Sequence, residues 1–276
     1  MNKVALVTGA NQGLGFALVK GLCDMFEETD TIYLTTRNKD RGEAAAAKIG
    51  ATVPTLLFER LDVTDDDGVA AVANTILQRH GGIDVVISNA AARISKDVPP
   101  RGQVRMFIDT NNHGTNRMLR HFMPILKMNA RFVTVASSFG SLSNLPAHLH
   151  ARFGVETASL EDIDAVMDQY VSTVEAGRER QEGWPEWINI PSKIGQVVST
   201  RIAARMIKEG RGSEGILINA ACPGLVDTDA SRPWFDDMSE ALSPDDAAKD
   251  VLWLANLPAG ATSPVGELVQ FRKILP

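Results

Sequence analysis

Eight residues near the start, Thr8-Gly9-Ala10-Asn11-Gln12-Gly13-Leu14-Gly15, set three glycines among small and polar side chains directly after an apolar run. Glycine permits a tight turn and lets a ligand come close to the backbone. A helix opening at this point turns its free N–H groups and its positive dipole end toward the turn, which is the chemistry that holds a pyrophosphate. Such a cluster is weak by itself. Between a first strand and a first helix it becomes a dinucleotide signal. The adenosine ribose would then be read at the end of the next apolar run, Thr35-Thr36-Arg37-Asn38-Lys39. A site preferring NAD carries an acid there for the ribose 2′-OH. This segment has no acid, and the Arg37 guanidinium suits a 2′-phosphate. The expected cofactor is therefore NADP(H), with Gly9, Asn11, Gln12, Gly13, Leu14, Gly15 and Arg37 among its contacts.

Those residues need strands and helices to position them, and the chain supplies both in alternation. Val4-Ala5-Leu6-Val7, Thr31-Ile32-Tyr33-Leu34-Thr35, Thr55-Leu56-Leu57-Phe58, Val85-Val86-Ile87, Phe132-Val133-Thr134-Val135, Ile216-Leu217-Ile218-Asn219 and Glu267-Leu268-Val269-Gln270 read as seven strands. Helical patterns run over 16–26, 41–49, 66–78, 112–128 and 192–209. Nearly continuous apolar strands between helices imply a parallel sheet covered on both faces, an α/β doubly wound fold of Rossmann type. Residues 141–190 break the rhythm. Only 161–176 has helical spacing there, and a loop-like stretch of that length inside a domain is usually a lid or binding element. With no repeats and no linker, 1–276 reads as one domain, and 141–190 as an insertion covering the site.

The 276 residues are 44% hydrophobic and 22% charged, ordinary for a globular chain. A net charge of −6 argues against a nucleic-acid partner. No apolar run is long enough to span a membrane, and MNKVALVTGA goes straight into strand-like sequence with no signal peptide. Two cysteines, Cys23 and Cys222, make neither a disulfide framework nor a metal cluster, so no metal is expected and a cytoplasmic setting is.

Taken together, these segments resemble the short-chain dehydrogenase/reductase family, in particular its monomeric carbonyl-reductase branch, over essentially the whole chain. Residues 8–15 are similar to that family's TGxxxGxG turn. Leu61-Asp62-Val63 resembles its adenine-contacting segment, which implies cofactor contacts at Asp62 and Val63. Ser88-Asn89-Ala90-Ala91 stands where the family usually has Asn-Asn-Ala-Gly, implying contacts at Asn89 and Ala90. Thr110-Asn111-Asn112-His113-Gly114-Thr115 resembles the helix that carries a catalytic asparagine, here Asn111. Val135-Ala136-Ser137-Ser138 resembles the strand end with the catalytic serine, mapped to Ser138. Cys222-Pro223-Gly224-Leu225-Val226-Asp227-Thr228 is similar to the segment beside the nicotinamide, implying Pro223, Gly224, Val226 and Thr228. Glu182-Gly183-Trp184-Pro185 at the end of the insertion points to the carbonyl-reductase branch and so implies a monomer.

One position departs from the pattern. The family's Tyr-x-x-x-Lys pair maps onto Asn189 and Lys193. The resemblance implies that Lys193 grips the nicotinamide ribose, Ser138 polarises the substrate and Asn111 holds a relay water. The tyrosine's place as proton donor falls to an amide, which hydrogen-bonds but is no acid near neutral pH. Pro191 disfavours helical geometry at Ile190 and fits the first turn of a helix, so the lysine helix is expected to start late, with Asn189 near its cap. Tyr33 reads as core and Tyr170 as packing. His113 reads as a helix residue, His148 and His150 as possible pocket lining, and Asp162, Asp164 and Asp168 as a solvated face. Trp184, Trp187, Trp234 and Phe235 are candidates for the pocket wall. The expected activity is hydride transfer from NADPH to a C=O or C=N bond of a small to medium substrate, with water or Ser138 relaying the proton. An iminium ion would need no acid at all. The alternatives are a cofactor-binding sensor without turnover and a biosynthetic iminium reductase that steers a cyclisation.

Overall fold

A computed structural model describes residues 2–276. In chain order the elements are β1 (Val4–Val7), α1 (Gly13–Met25), β2 (Thr31–Thr36), α2 (Lys39–Ile49), β3 (Thr55–Arg60), α3 (Asp66–His80), β4 (Ile83–Ser88), α4 (Val104–Ile108), α5 (Gly114–Phe122), β5 (Leu126–Val135), α6 (Ala147–His150), α7 (Leu160–Glu175), α8 (Asn189–Arg211), β6 (Leu217–Ala221), α9 (Pro244–Ala255), β7 (Leu268–Gln270) and β8 (Lys273–Leu275). They form one sheet in the order β3-β2-β1-β4-β5-β6-β7-β8. The pairings from β3 to β7 are parallel, and β8 closes antiparallel on β7.

The alternation of strand side chains splits the core in two. Val4 and Leu6 join Val86, Phe132 and Ile218 beneath α3, α5, α7 and α8. Ala5 and Val7 join Ile32, Leu34, Ile87 and Val133 beneath α1 and α9. Both sheet faces are thus dry, which is why the strands read as unbroken apolar runs. Strand order reverses between β1 and β4, and the crevice beyond their carboxyl ends is where such sheets take ligands.

Several expectations shift. The helix expected over 112–128 begins earlier and ends earlier: α4 runs through a π-helical turn, Asp109–His113, into α5, which stops at Phe122. Pro124 has no N–H to continue the ladder, so a 3₁₀ turn follows and β5 starts at Leu126. The lysine helix does not start late. It starts at Asn189 with Pro191 inside its first turn. The first four N–H groups of a helix have no intrahelical acceptor, so a proline there breaks no bond. Helix α9 and strand β8 had no counterpart in the sequence reading.

The 141–190 stretch contains more order than its sequence suggested. Helix α7 opens with a capping box in which Ser159 and Asp162 bond each other's backbone. It packs against α4 and α8. No helix among the described residues is long and apolar enough to cross a membrane.

Candidate active site

The glycine turn is shaped by close approach. Gly9 and Gly13 hold φ of +63° and +53°. A side chain on Gly9 would meet Ala90 Cα at 2.9 Å, and one on Gly15 would meet the Gly9 carbonyl oxygen at 2.4 Å. Asn89, after β4, donates from Nδ2 to the carbonyls of Thr8 (2.9 Å) and Gly9 (3.4 Å), while the N–H groups of Asn89 and Ala90 both donate to Thr8 Oγ1. The side chain of Asn89 is thus occupied in bracing the turn. The N-cap of α1, Gln12, makes no side-chain cap, so the first N–H groups of the helix stay free for an anion. Thr228 Cγ2 lies 3.4 Å from where a Gly13 side chain would begin, which brings the 222–228 segment against the turn. A dinucleotide's pyrophosphate fits this cradle, which any Cβ would fill.

At the tip of β2, Thr36 Oγ1 donates to Asn11 Oδ1 (3.1 Å), Arg37 is exposed, and its carbonyl accepts from Arg60 Nε (3.2 Å). Arg60 is a second guanidinium, at the end of β3, that no local sequence signal ties to this tip. Only the parallel register, Thr36 opposite Arg60, puts it there. Asp62 accepts from the backbone and hydroxyl of Thr64, and Val63 and Pro223 are buried.

Beside this cradle lies a cavity of about 420 Å³. Asn111, Ser138, Asn189 and Lys193 all line it, although they come from the π-helical turn, the end of β5 and the start of α8. Leu14, Gly224, Val226 and Thr228 line it too. The remaining cofactor candidates lie around the glycine turn and the β2 tip. Ser138 is exposed; its N–H donates to Cys222 Sγ (3.1 Å). Its neighbour Ser137, also on the cavity, accepts from Phe139 N through its hydroxyl. A Ser-Ser pair at a strand end does not reveal from sequence that both border the cleft. Asn111 Oδ1 accepts from Ala92 N (2.8 Å), and its Nδ2 reaches Ser192 Oγ (3.4 Å). Among the described residues, no side-chain hydrogen bond engages Asn189.

Lys193 Nζ donates to the Val135 carbonyl (3.3 Å) and to Gln196 Oε1 (2.8 Å). Burial pushes its pKa down to about 8, against a weaker upward pull from the Cys222 thiol. Phe139, Trp187, Trp234 and Phe235 give the wall its apolar character, with Phe139 edge-on to Trp187 at 5.0 Å. Trp184 does not join them; it is core, its ring tilted against that of Tyr170.

The two tyrosines and the histidines of the α4–α5 segment and the 141–190 stretch lie elsewhere. Tyr33 is buried and bonds His80. Tyr170 is wholly buried, and burial with the Glu179 charge drives its phenol pKa far up. His113 is held between Asp164 (2.8 Å) and Asp168 (3.1 Å). His148 and His150 bond the carbonyls of Glu182 and Leu145. None of these residues lines the cavity. Asp162 and Asp164 are not a plain solvated face either. One caps α7, and the other joins α7 to His113, Asn116 and Arg120 on the α4–α5 segment.

Comparison with known proteins names the architecture. A family model described as short chain dehydrogenase matches residues 3–155. The chain is 35% identical over 277 residues to carbonyl reductase [NADPH] 1 of Mus musculus, covering 99% of this chain and 98% of the mouse protein. The chain belongs to the short chain dehydrogenase family. The Homo sapiens carbonyl reductase [NADPH] 1 is 34% identical over 275 residues, covering 98% and 97% of the two chains. Among solved structures, this short chain dehydrogenase superposes on salutaridine reductase from Papaver somniferum with a TM-score of 0.80 at 22% identity, covering 97% of this chain and 99% of that one. It superposes on a short chain dehydrogenase from Burkholderia cenocepacia in complex with NADP with a TM-score of 0.69 at 20% identity, covering 97% and 95%. At those identities the likeness is one of fold. Among the described residues no cluster of His, Cys, Asp or Glu is arranged to hold a metal ion.

Proposed function

We propose that this short chain dehydrogenase is an NADPH-dependent reductase that places hydride on a C=O or C=N bond of a small to medium, largely apolar substrate. The observation that carries the reading is the gathering of Asn111, Ser138, Asn189 and Lys193 on one aromatic-walled cavity beside a glycine turn that no side chain could enter. The names of the mouse and human relatives support both the carbonyl substrate and the cofactor. The exposed guanidiniums of Arg37 and Arg60 support a 2′-phosphate.

When bound, NADPH supplies the hydride. The chain's own residues hold the acceptor and the developing charge. The hydroxyls of Ser138 and Ser137 donate to the substrate oxygen, where donors fixed in advance lower the barrier most. The Asn189 amide orients the substrate but yields no proton. Phe139, Trp187 and Trp234 exclude water from the reacting bond. Two buried, unpaired cysteines support a reducing, cytoplasmic setting, and the packing of α7 over α4 supports a monomer.

Asn189 favours a second reading within the same chemistry. Hydride addition to an iminium ion yields a neutral amine directly, so an amide in place of an acid costs nothing. Calorimetry with NADPH and NADH, followed by turnover of matched ketone and cyclic iminium panels, tests both readings. Failure to bind either coenzyme overturns the assignment. Ketone turnover that exceeds iminium turnover and disappears in Asn189→Ala overturns the iminium reading.

A further inference from the structure

An ammonium group has three N–H bonds, and the structure assigns two of those on Lys193: one to Val135 O and one to Gln196 Oε1. The third is left for the cavity that Lys193 lines. Gln196 stands one turn further along α8 and is buried. Its Nε2 donates to Thr115 Oγ1 (2.9 Å), and Thr115 donates in turn to the Asn111 carbonyl (2.6 Å). That order fixes the amide. Thr115 has one proton and spends it on Asn111, so toward Gln196 it offers a lone pair and must be met by the NH₂ group. The Oε1 end then has to face Lys193. The chain of donors runs from the amine into the protein and ends at a backbone carbonyl.

The cavity offers few rival acids. The serine and threonine hydroxyls do not ionise near neutral pH, and Arg93, which also lines it, carries a guanidinium, a group that is no acid there. The titratable side chain near Lys193 from the segment just after β6 is that of Cys222, which also lines the cavity. On the neighbouring helices Asp109 is paired with Arg117, and His113 with Asp164 and Asp168, none of them on the cavity.

We propose, on the reductase reading above, that Lys193 is the proton donor to the reduced oxygen and that Gln196 is the positioning residue that holds its ammonium at the cavity floor. Hydride from the reduced nicotinamide bonds to the carbonyl carbon, the π pair moves onto oxygen, and that oxygen takes a proton from Nζ, leaving a neutral amine. The Gln196 amide does not conduct protons, so the amine regains its proton from water through the cavity mouth. Burial lowers the lysine pKa to about 8, which suits this duty at neutral pH.

The test follows the pH dependence of kcat for a ketone in the wild type, Gln196→Leu and Gln196→Glu, alongside NMR titration of 13Cε-lysine-labelled protein without cofactor. The Lys193 resonance is identified by its loss in Lys193→Arg. Wild-type kcat is expected to fall above about pH 8. Removing the acceptor should move the midpoint down by about one unit, and a carboxylate should move it up by about one unit or more. The NMR midpoint should move with it. A kcat midpoint that stays put while the lysine titration moves overturns the donor role, as does a Lys193 resonance titrating near the ordinary value of about 10.4. Should Gln196→Glu fail to fold, the leucine variant decides. Turnover of iminium but of no ketone overturns the donor role and leaves the reductase reading standing. Coenzyme binding with no turnover of either panel overturns the reading itself.

Discussion

Asn189 and Lys193 lie four residues apart at the start of α8, on the same side of the helix, and both border the cavity. The amide can orient a substrate; on the proposal above, the ammonium protonates a reduced ketone oxygen or repels an iminium cation. The protonation state of Lys193 therefore separates the two kinds of substrate. Its pKa of about 8 is lowered, so the ammonium persists below that value and is lost above it. Ketone reduction should decline as pH rises through 8. Reduction of a permanently charged N-alkyl iminium should rise over the same interval, because the amine stops repelling it. Parallel pH profiles of kcat/KM for the two substrates check this, and curves of the same shape contradict it.

Asn189→Tyr restores a phenol one turn before Lys193. A positioned acid typically contributes about a hundred- to ten-thousand-fold. A gain of at least about tenfold in ketone kcat is expected even with imperfect placement, with little change for an iminium substrate. Steady-state kinetics on both substrates would read this out.

Arg37→Asp should reverse coenzyme preference. A hydrogen bond to a charged group is worth about 1.5–3 kcal/mol, so NADPH affinity should drop by roughly tenfold to a hundredfold while NADH binding improves. Calorimetric Kd values for both coenzymes measure it. Equal losses for the two would mean that the guanidinium does not meet the 2′-phosphate.

Gly15→Ala puts a methyl 2.4 Å from the Gly9 carbonyl oxygen and 2.6 Å from Asn89 Nδ2. The turn must open to make room. Unfolding free energy should fall by about 1–3 kcal/mol, and coenzyme affinity should fall with it. Urea unfolding and calorimetry report the two effects separately.

His113 anchors α7 to the π-helical turn that carries Asn111. Burial works to lower its pKa, but the carboxylates of Asp164 and Asp168 outweigh it, and the net shift is upward. A raised pKa means that the stabilisation is complete below the unfolded value of about 6.5 and fades as pH climbs through the folded one. The stability gap between wild type and His113→Gln should therefore be widest near pH 6 and shrink at higher pH. A gap that does not vary with pH would refute the charged pair.

Strands β1 and β2 are legible because each is a short, unbroken apolar run, helix α1 because it opens on the glycine turn, and α2 because its alanines favour a helix. The helix through Asn111 was misjudged because its π-helical turn and Pro124 act on backbone bonding and leave the apolar period unmarked. Strand β8 escaped notice because its three residues are mostly exposed and pair only at the sheet edge. Helix α9 is marked in the sequence by Ser243-Pro244-Asp245-Asp246, an N-cap with proline and acids in the first turn.

The sequence alone determined the doubly wound class, the glycine turn and the absence of a tyrosine before Lys193, since each is written in consecutive residues through local pattern and backbone permission. That both Ser137 and Ser138 border the cavity, where Arg60 stands and how Gln196 and Thr115 tie Lys193 to Asn111 were decided only in three dimensions. Gln196 and Thr115 are 81 positions apart along the chain. Contacts of that span arise when strands fall into register and helices settle on their buried faces, and no local propensity encodes them.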